Sequence, residues 1–215
     1  GFDVWLESVI ACSPAHQTLH QKWSVFLCLP EYHLIPIRRI IMQNKPSRTL
    51  VMKFGGTSVG SIQAMAQAAQ IVKEATIQWD NVVVITSAIS GATNSLLDSA
   101  THAANGDMIP LQETEKALLF RHKEMSSALV KDPLIREALN NEMENLINTF
   151  SNLCRAISIL GEATPRALDA VAAMGERLSV RLLTATCQSA GINAQYIESS
   201  ELVITNNTFQ NAHPD

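Results

Sequence analysis

The residues best suited to chemistry fall in three short stretches. In the first, Lys53 ends an apolar run (Leu50, Val51, Met52, then Phe54 beyond the lysine) and is followed at once by Gly55, Gly56, Thr57 and Ser58. The apolar run suits a buried strand bounded by glycine. Two residues without Cβ atoms then allow a sharp turn with positive φ, and an alanine-rich helical pattern resumes at Ser61. Strand, glycine loop and helix in that order gather backbone N–H groups and the positive end of a helix, with one cation at the mouth of the strand. Such a place suits an anion, although an ordinary turn between strand and helix fits the same string. A P-loop would put Lys and Ser/Thr after the last glycine, and a dinucleotide fingerprint would read G-x-G-x-x-G. With Lys53 ahead of the glycines, neither template applies.

The second stretch is the small-residue loop S-A-I-S-G-A-T-N at residues 87–94, in which Thr93 or Asn94 is the expected helix N-cap. The third is Glu176 in M-G-E-R-L-S. At about 100° per residue it stands roughly 80° round the helix from Leu168, at the margin of an apolar stripe. A carboxylate there needs a partner, since leaving it unpaired in low dielectric costs several kcal/mol. That partner is either Arg166, Arg177 or Arg181 as a salt bridge, or a ligand.

The elements that must position these residues read as a parallel α/β arrangement. A helical face recurs at Ile62, Met65, Ala66, Ala69 and Val72, and Val82, Val83, Val84 and Ile85 form a continuous run typical of a strand buried on both faces. Strand, helix, strand implies a βαβ unit, whose ligands collect at the carboxyl edge of the sheet. Both small-residue loops lie on that edge and should face one cleft. Helices are predicted over residues 111–130, from Asp132-Pro133 onward, and from Thr164-Pro165 to near Gly191, where proline after a capping residue marks each later start. Leu134, Ile135, Leu139, Met143, Leu146, Ile147, Phe150 and Leu153 form an apolar stripe on the second of these, and His102 and His122 are expected on solvated or interface faces. Residues 193–197 read as a strand, and residues 202–205 as a shorter one.

Composition narrows the function classes. With 215 residues, 47% hydrophobic and 17% charged, the chain holds a full packed core and is not disordered. A formal net charge of −4 leaves no basic footprint for nucleic acid. Cys12, Cys28, Cys154 and Cys187 lack C-x-x-C spacing, which favours free thiols in a reducing cytoplasm over zinc or disulfides. No residue set is read as a metal site: His16, His20 and His33 are irregularly spaced and lack carboxylates. Residues 1–46 show no sustained period, and their most apolar run stops at Pro30, too short for a bilayer. They are read as an N-terminal extension outside the conserved fold, or a sequence artefact, in preference to a functional domain.

The string K-F-G-G-T-S-V-G-S resembles the opening of aspartate kinases, members of the amino acid kinase family. The loop S-A-I-S-G-A-T-N is similar to the string those enzymes carry after their second strand, M-G-E-R-L-S resembles their G-E-x-x-S helix, and N-N-T-F-Q-N-A-H-P-D resembles the loop ending the first half of their catalytic domain. The resemblance implies a chain that begins near Met42 and a three-layer αβα sandwich with a mostly parallel sheet, here incomplete, with residues 47–215 as its N-terminal, substrate-binding part. It implies phosphoryl transfer from MgATP to the β-carboxylate of L-aspartate, the first step toward lysine, threonine and methionine. ATP and Mg²⁺ would enter as the substrate complex. Lys53, Phe54, Gly55 and Gly56 would hold phosphate, with Lys53 catalytic. Ser58, Ser87, Thr93 and Glu176 would hold aspartate, Glu176 at its ammonium. A cytoplasmic homo-oligomer without membrane or nucleic-acid partners is expected. The sequence stops before the strands and loops that bind adenine, ribose and magnesium in the family, so slow or absent turnover is expected of this chain alone. A relative acting on acetylglutamate or glutamate, or an inactive binding fragment, is the alternative.

Overall fold

The computed structural model describes residues 8–13 and 48–214. Its elements are β1 (Ser8–Ser13), β2 (Thr49–Phe54), α1 (Ile62–Gln78), β3 (Asn81–Thr86), α2 (Ala92–Ala104), α3 (Ile109–Leu129), α4 (Pro133–Leu160), α5 (Pro165–Ser189) and β4 (Asn193–Ile197), with a 3₁₀ turn at Ser199–Glu201. The four strands form one sheet in the order β2-β3-β1-β4. β2 and β3 pair in parallel, with Lys53 opposite Ile85 and Phe54 opposite Thr86. This is the expected βαβ unit.

Six residues of the segment read as an extension lie in this sheet. β1 pairs antiparallel with β3 on one side and with β4 on the other. Its S-V-I-A-C-S run is too short to announce a strand alone; pairing on both edges supplies what local propensity does not. The expectations resting on Met42, His16, His20 and His33 fall outside the described residues.

β3 was expected to be buried on both faces, yet its residues alternate. Val82, Val84 and Thr86 are buried, whereas Asn81, Val83 and Ile85 are more open, and Val51 on β2 is 59% exposed. Among the described residues, α1 and α5 are the helices packed closely on the sheet, so one face is covered and the strand reads as half-buried. These residues build two layers of the sandwich. α5 is the central helix, packing on α1, α2, α3, α4 and the sheet. It is buried through Val171, Leu178, Leu182 and Leu183, each such side chain stabilising by about 1.5–3 kcal/mol.

Local signals explain the helix starts. Ser61 Oγ accepts from the Ala64 amide, Asp132 from Leu134 and Ile135, and Thr164 from Ala167, with proline following the latter two caps. Three expectations require correction. Leu134 is exposed instead of joining the α4 stripe, because it sits in the helix's first turn. His122 is fully buried, since α3 is enclosed by α2, α4 and α5. Residues 202–205 form no strand: Leu202, Val203 and Ile204 are exposed, and Thr205 makes only an isolated bridge to Pro214. The tail is tied instead to the start of α5, where the Gln210 amide donates to Asp169 (2.9 Å) and Arg166 stacks on Phe209. Among the described residues no helix is long and apolar enough to cross a membrane.

Candidate active site

The two glycine-bearing loops meet at the ends of β2 and β3. The ladder continues past the strands: the Ser87 amide donates to Phe54 O (3.1 Å) and the Ser90 amide to Gly56 O (3.2 Å). Within the first loop Ser58 N closes a turn on Gly55 O (2.9 Å), and Val59 is fully buried beneath it. Neither Gly55 nor Gly56 adopts the expected positive φ. A Cβ on Gly56 would lie 2.7 Å from Ala88 O, and one on Gly60 would lie 2.7 Å from Gly56 O. Close approach of backbone to backbone is therefore what excludes a side chain at Gly56. Gly55 has open space around it.

α5 closes the third side. A Cβ on Gly175 would come within 2.8 Å of Ala88 Cβ and 3.7 Å of Thr93 Oγ1, so the helix touches the second loop where its side chain is missing. One residue on, Glu176 is half-buried and its Oε1 accepts from the Ala88 amide at 3.4 Å. The arginines proposed as its partners turn elsewhere. Arg177 and Arg181 both bind Glu198, at 3.0 and 2.7 Å, Arg181 also holds Glu142 at 3.0 Å, and Arg166 lies over Phe209. Arg181 further covers the Tyr196 ring, and Arg181 and Glu142 line a separate cavity of about 270 Å³ between α4, α5 and β4.

Gly56, Ser87, Thr93 and Glu176 are thus linked through direct contacts with Ala88, its neighbours and Gly175. Lys53 and Phe54 stand at the end of β2 on the same edge, Lys53 exposed, and Ser58 lies exposed on the first loop. Thr93 and Asn94 are not the cap of α2. Gly91 is, at φ 85°, with no side-chain cap bond. Glycine adopts this left-handed backbone without the Cβ penalty, and the first N–H groups of α2 are left uncapped by a side chain at the positive end of the helix.

A residue that sequence spacing did not single out also reaches both loops. Arg121 of α3 donates to Ser90 O (2.8 Å) and to Gly60 O (2.6 Å). Nothing local marks it, because its partners lie 31 and 61 residues away.

Residues 48–213 match the model of the amino acid kinase family. Candida albicans aspartokinase is 34% identical over 174 residues, covering 77% of this chain and 31% of that protein. Chloroplastic aspartokinase 1 of Arabidopsis thaliana is 30% identical over 168 residues, covering 76% of this chain and 28% of its own. The crystal structure of Escherichia coli aspartokinase III in complex with aspartate and ADP superposes with a TM-score of 0.62 at 26% identity, over 78% of this chain and 35% of that one. The chain spans about a third of the length of these relatives. By its family match and its strand–loop–helix order, the chain belongs to the amino acid kinase family.

Proposed function

We propose that this chain is the aspartate-binding part of an aspartate kinase, which transfers the γ-phosphoryl group of MgATP to the β-carboxylate of L-aspartate. The observation that carries this reading is the contact between the second loop and α5, where a half-buried carboxylate, Glu176, meets the Ala88 amide beside Thr93. An acidic group next to hydroxyls and backbone donors suits a ligand bearing both an ammonium and carboxylates. Similarity to an aspartokinase crystallised with aspartate and ADP supports the same substrate pair.

In this reading Glu176 takes the α-ammonium, and Ser58, Ser87 and Thr93 donate to the carboxylates. The nucleophile is already an anion, so no strong base is needed, and catalysis consists of positioning and neutralising the moving phosphoryl group. A β-carboxylate oxygen forms a bond to the γ-phosphorus as the bond to the ADP oxygen breaks, giving an acyl phosphate. Lys53 sits between the β- and γ-phosphates, with Phe54 and the N–H groups of Gly55 and Gly56 completing the cradle. One such charge at about 4 Å, with an effective dielectric near 20, is worth roughly 4 kcal/mol. A soluble cytoplasmic homo-oligomer feeding lysine and threonine synthesis completes the proposal.

Calorimetric titration of this chain with L-aspartate, L-glutamate and N-acetyl-L-glutamate tests it. Aspartate alone should bind. A preference for acetylglutamate or glutamate would reassign the substrate, and binding of none of the three would overturn the site.

A further inference from the structure

We infer that Arg121 is a positioning residue that clamps the two glycine loops together and so sets the shape of the substrate site. The inference rests on the reading that these loops hold substrate, and it adds a residue from a helix outside them.

Gly60 immediately precedes Ser61, the N-cap of α1, and Ser90 immediately precedes Gly91, the N-cap of α2. Arg121 donates through Nη2 to Gly60 O (2.6 Å) and through Nη1 to Ser90 O (2.8 Å). One planar group therefore fixes the carbonyls at the entrances of both helices that follow the glycine-bearing loops. The seam it crosses is tight: a Cβ on Gly60 would stand 3.4 Å from Ser90 Cβ, and Ser90 N already holds Gly56 O. Charge-assisted hydrogen bonds are about twice as strong as neutral ones, and the guanidinium fork holds two acceptors in fixed relative positions. A lysine offers no such fork. Arg121 itself is half-buried on α3, a helix that packs on α2, α4 and α5, so the clamp is anchored to the helical layer and not to either loop.

The test compares Arg121→Ala and Arg121→Lys, with Lys123→Ala as a control on the same helix, since Lys123 pairs with Glu144 and not with the loops. L-aspartate affinity is read by calorimetry and loop order by amide hydrogen exchange. Arg121→Ala should weaken aspartate binding about tenfold or more and speed exchange at residues 56–60 and 87–92, while α4 and α5 keep their protection. Millimolar guanidinium should recover part of the affinity, and Arg121→Lys should lie between the two. Unchanged aspartate affinity in a folded Arg121→Ala overturns the inference, whether or not the loops exchange faster. Should Arg121→Ala fail to fold, Arg121→Lys decides: a folded variant that binds aspartate within twofold of the parent overturns it equally. If the parent chain binds no aspartate, the substrate reading fails by itself, and the clamp then stands or falls on loop exchange alone.

Discussion

Gly175 and Ala88 are in contact across the junction of α5 and the second loop, so close that a Cβ on Gly175 would sit 2.8 Å from that of Ala88. Glycine inside a helix ordinarily costs about 1 kcal/mol relative to alanine. At this position the loop backbone would have to move to admit a methyl group, and overpacking of that kind costs about 1–3 kcal/mol. Gly175→Ala is therefore expected to be destabilising by up to about 1–2 kcal/mol in urea denaturation, and to weaken aspartate binding because Ala88 carries the amide that meets Glu176. Stabilisation by the full helix-propensity gain would show that the contact is loose.

Lys53 tests the phosphate side. In a full-length enzyme containing this segment, Lys53→Ala should lower kcat by on the order of 10²-fold or more, as for other losses of a donor to transition-state charge. Steady-state kinetics with hydroxylamine trapping of the acyl phosphate measures it, and an unaltered kcat removes Lys53 from the mechanism.

Legibility in the sequence followed the range of the interactions. The starts of α4 and α5 were readable because Asp132-Pro133 and Thr164-Pro165 act within one helical turn. The βαβ unit was readable because periodicity is local as well. β1 was not, since its partners lie in β3 and β4, far along the chain. The requirement for glycine at position 56 was not legible either, because its close approach to Ala88 O is a tertiary fact and positive φ a local one. The same limit hid the cap of α2 at Gly91, the burial of His122 and the reach of Arg121, each decided by how the helices pack.

Glu176 tests the ammonium side. Glu176→Gln keeps the shape and an acceptor for the Ala88 amide, yet removes the charge. In a full-length enzyme containing this segment, the expected result is a raised KM for aspartate with a smaller change in kcat, since the ammonium is distant from the transferred group and binds alike in ground and transition states. An unchanged KM would refute the role.

His122 gives the fold a dependence on acid. It is fully buried, its Nδ1–H donates to Leu118 O (2.7 Å), and Nε2 has no hydrogen-bond partner among the described residues. Burial is the main cause that lowers its pKa from 6.5 to about 4, with Arg121 adding to it and the Leu118 bond opposing. The unfolded chain therefore takes up a proton below about pH 6.5 that the folded chain refuses until about pH 4, so stability falls as pH drops through that window. The difference of 6.5 − 4 corresponds to roughly 3 kcal/mol in full, of which about 2 kcal/mol should be lost between pH 7 and pH 5. Urea denaturation at those two pH values should show the parent losing about 2 kcal/mol more than His122→Leu, because groups that titrate equally in both proteins cancel in the comparison. Equal losses in the two proteins would mean that His122 is protonated as readily in the folded chain as in the unfolded one.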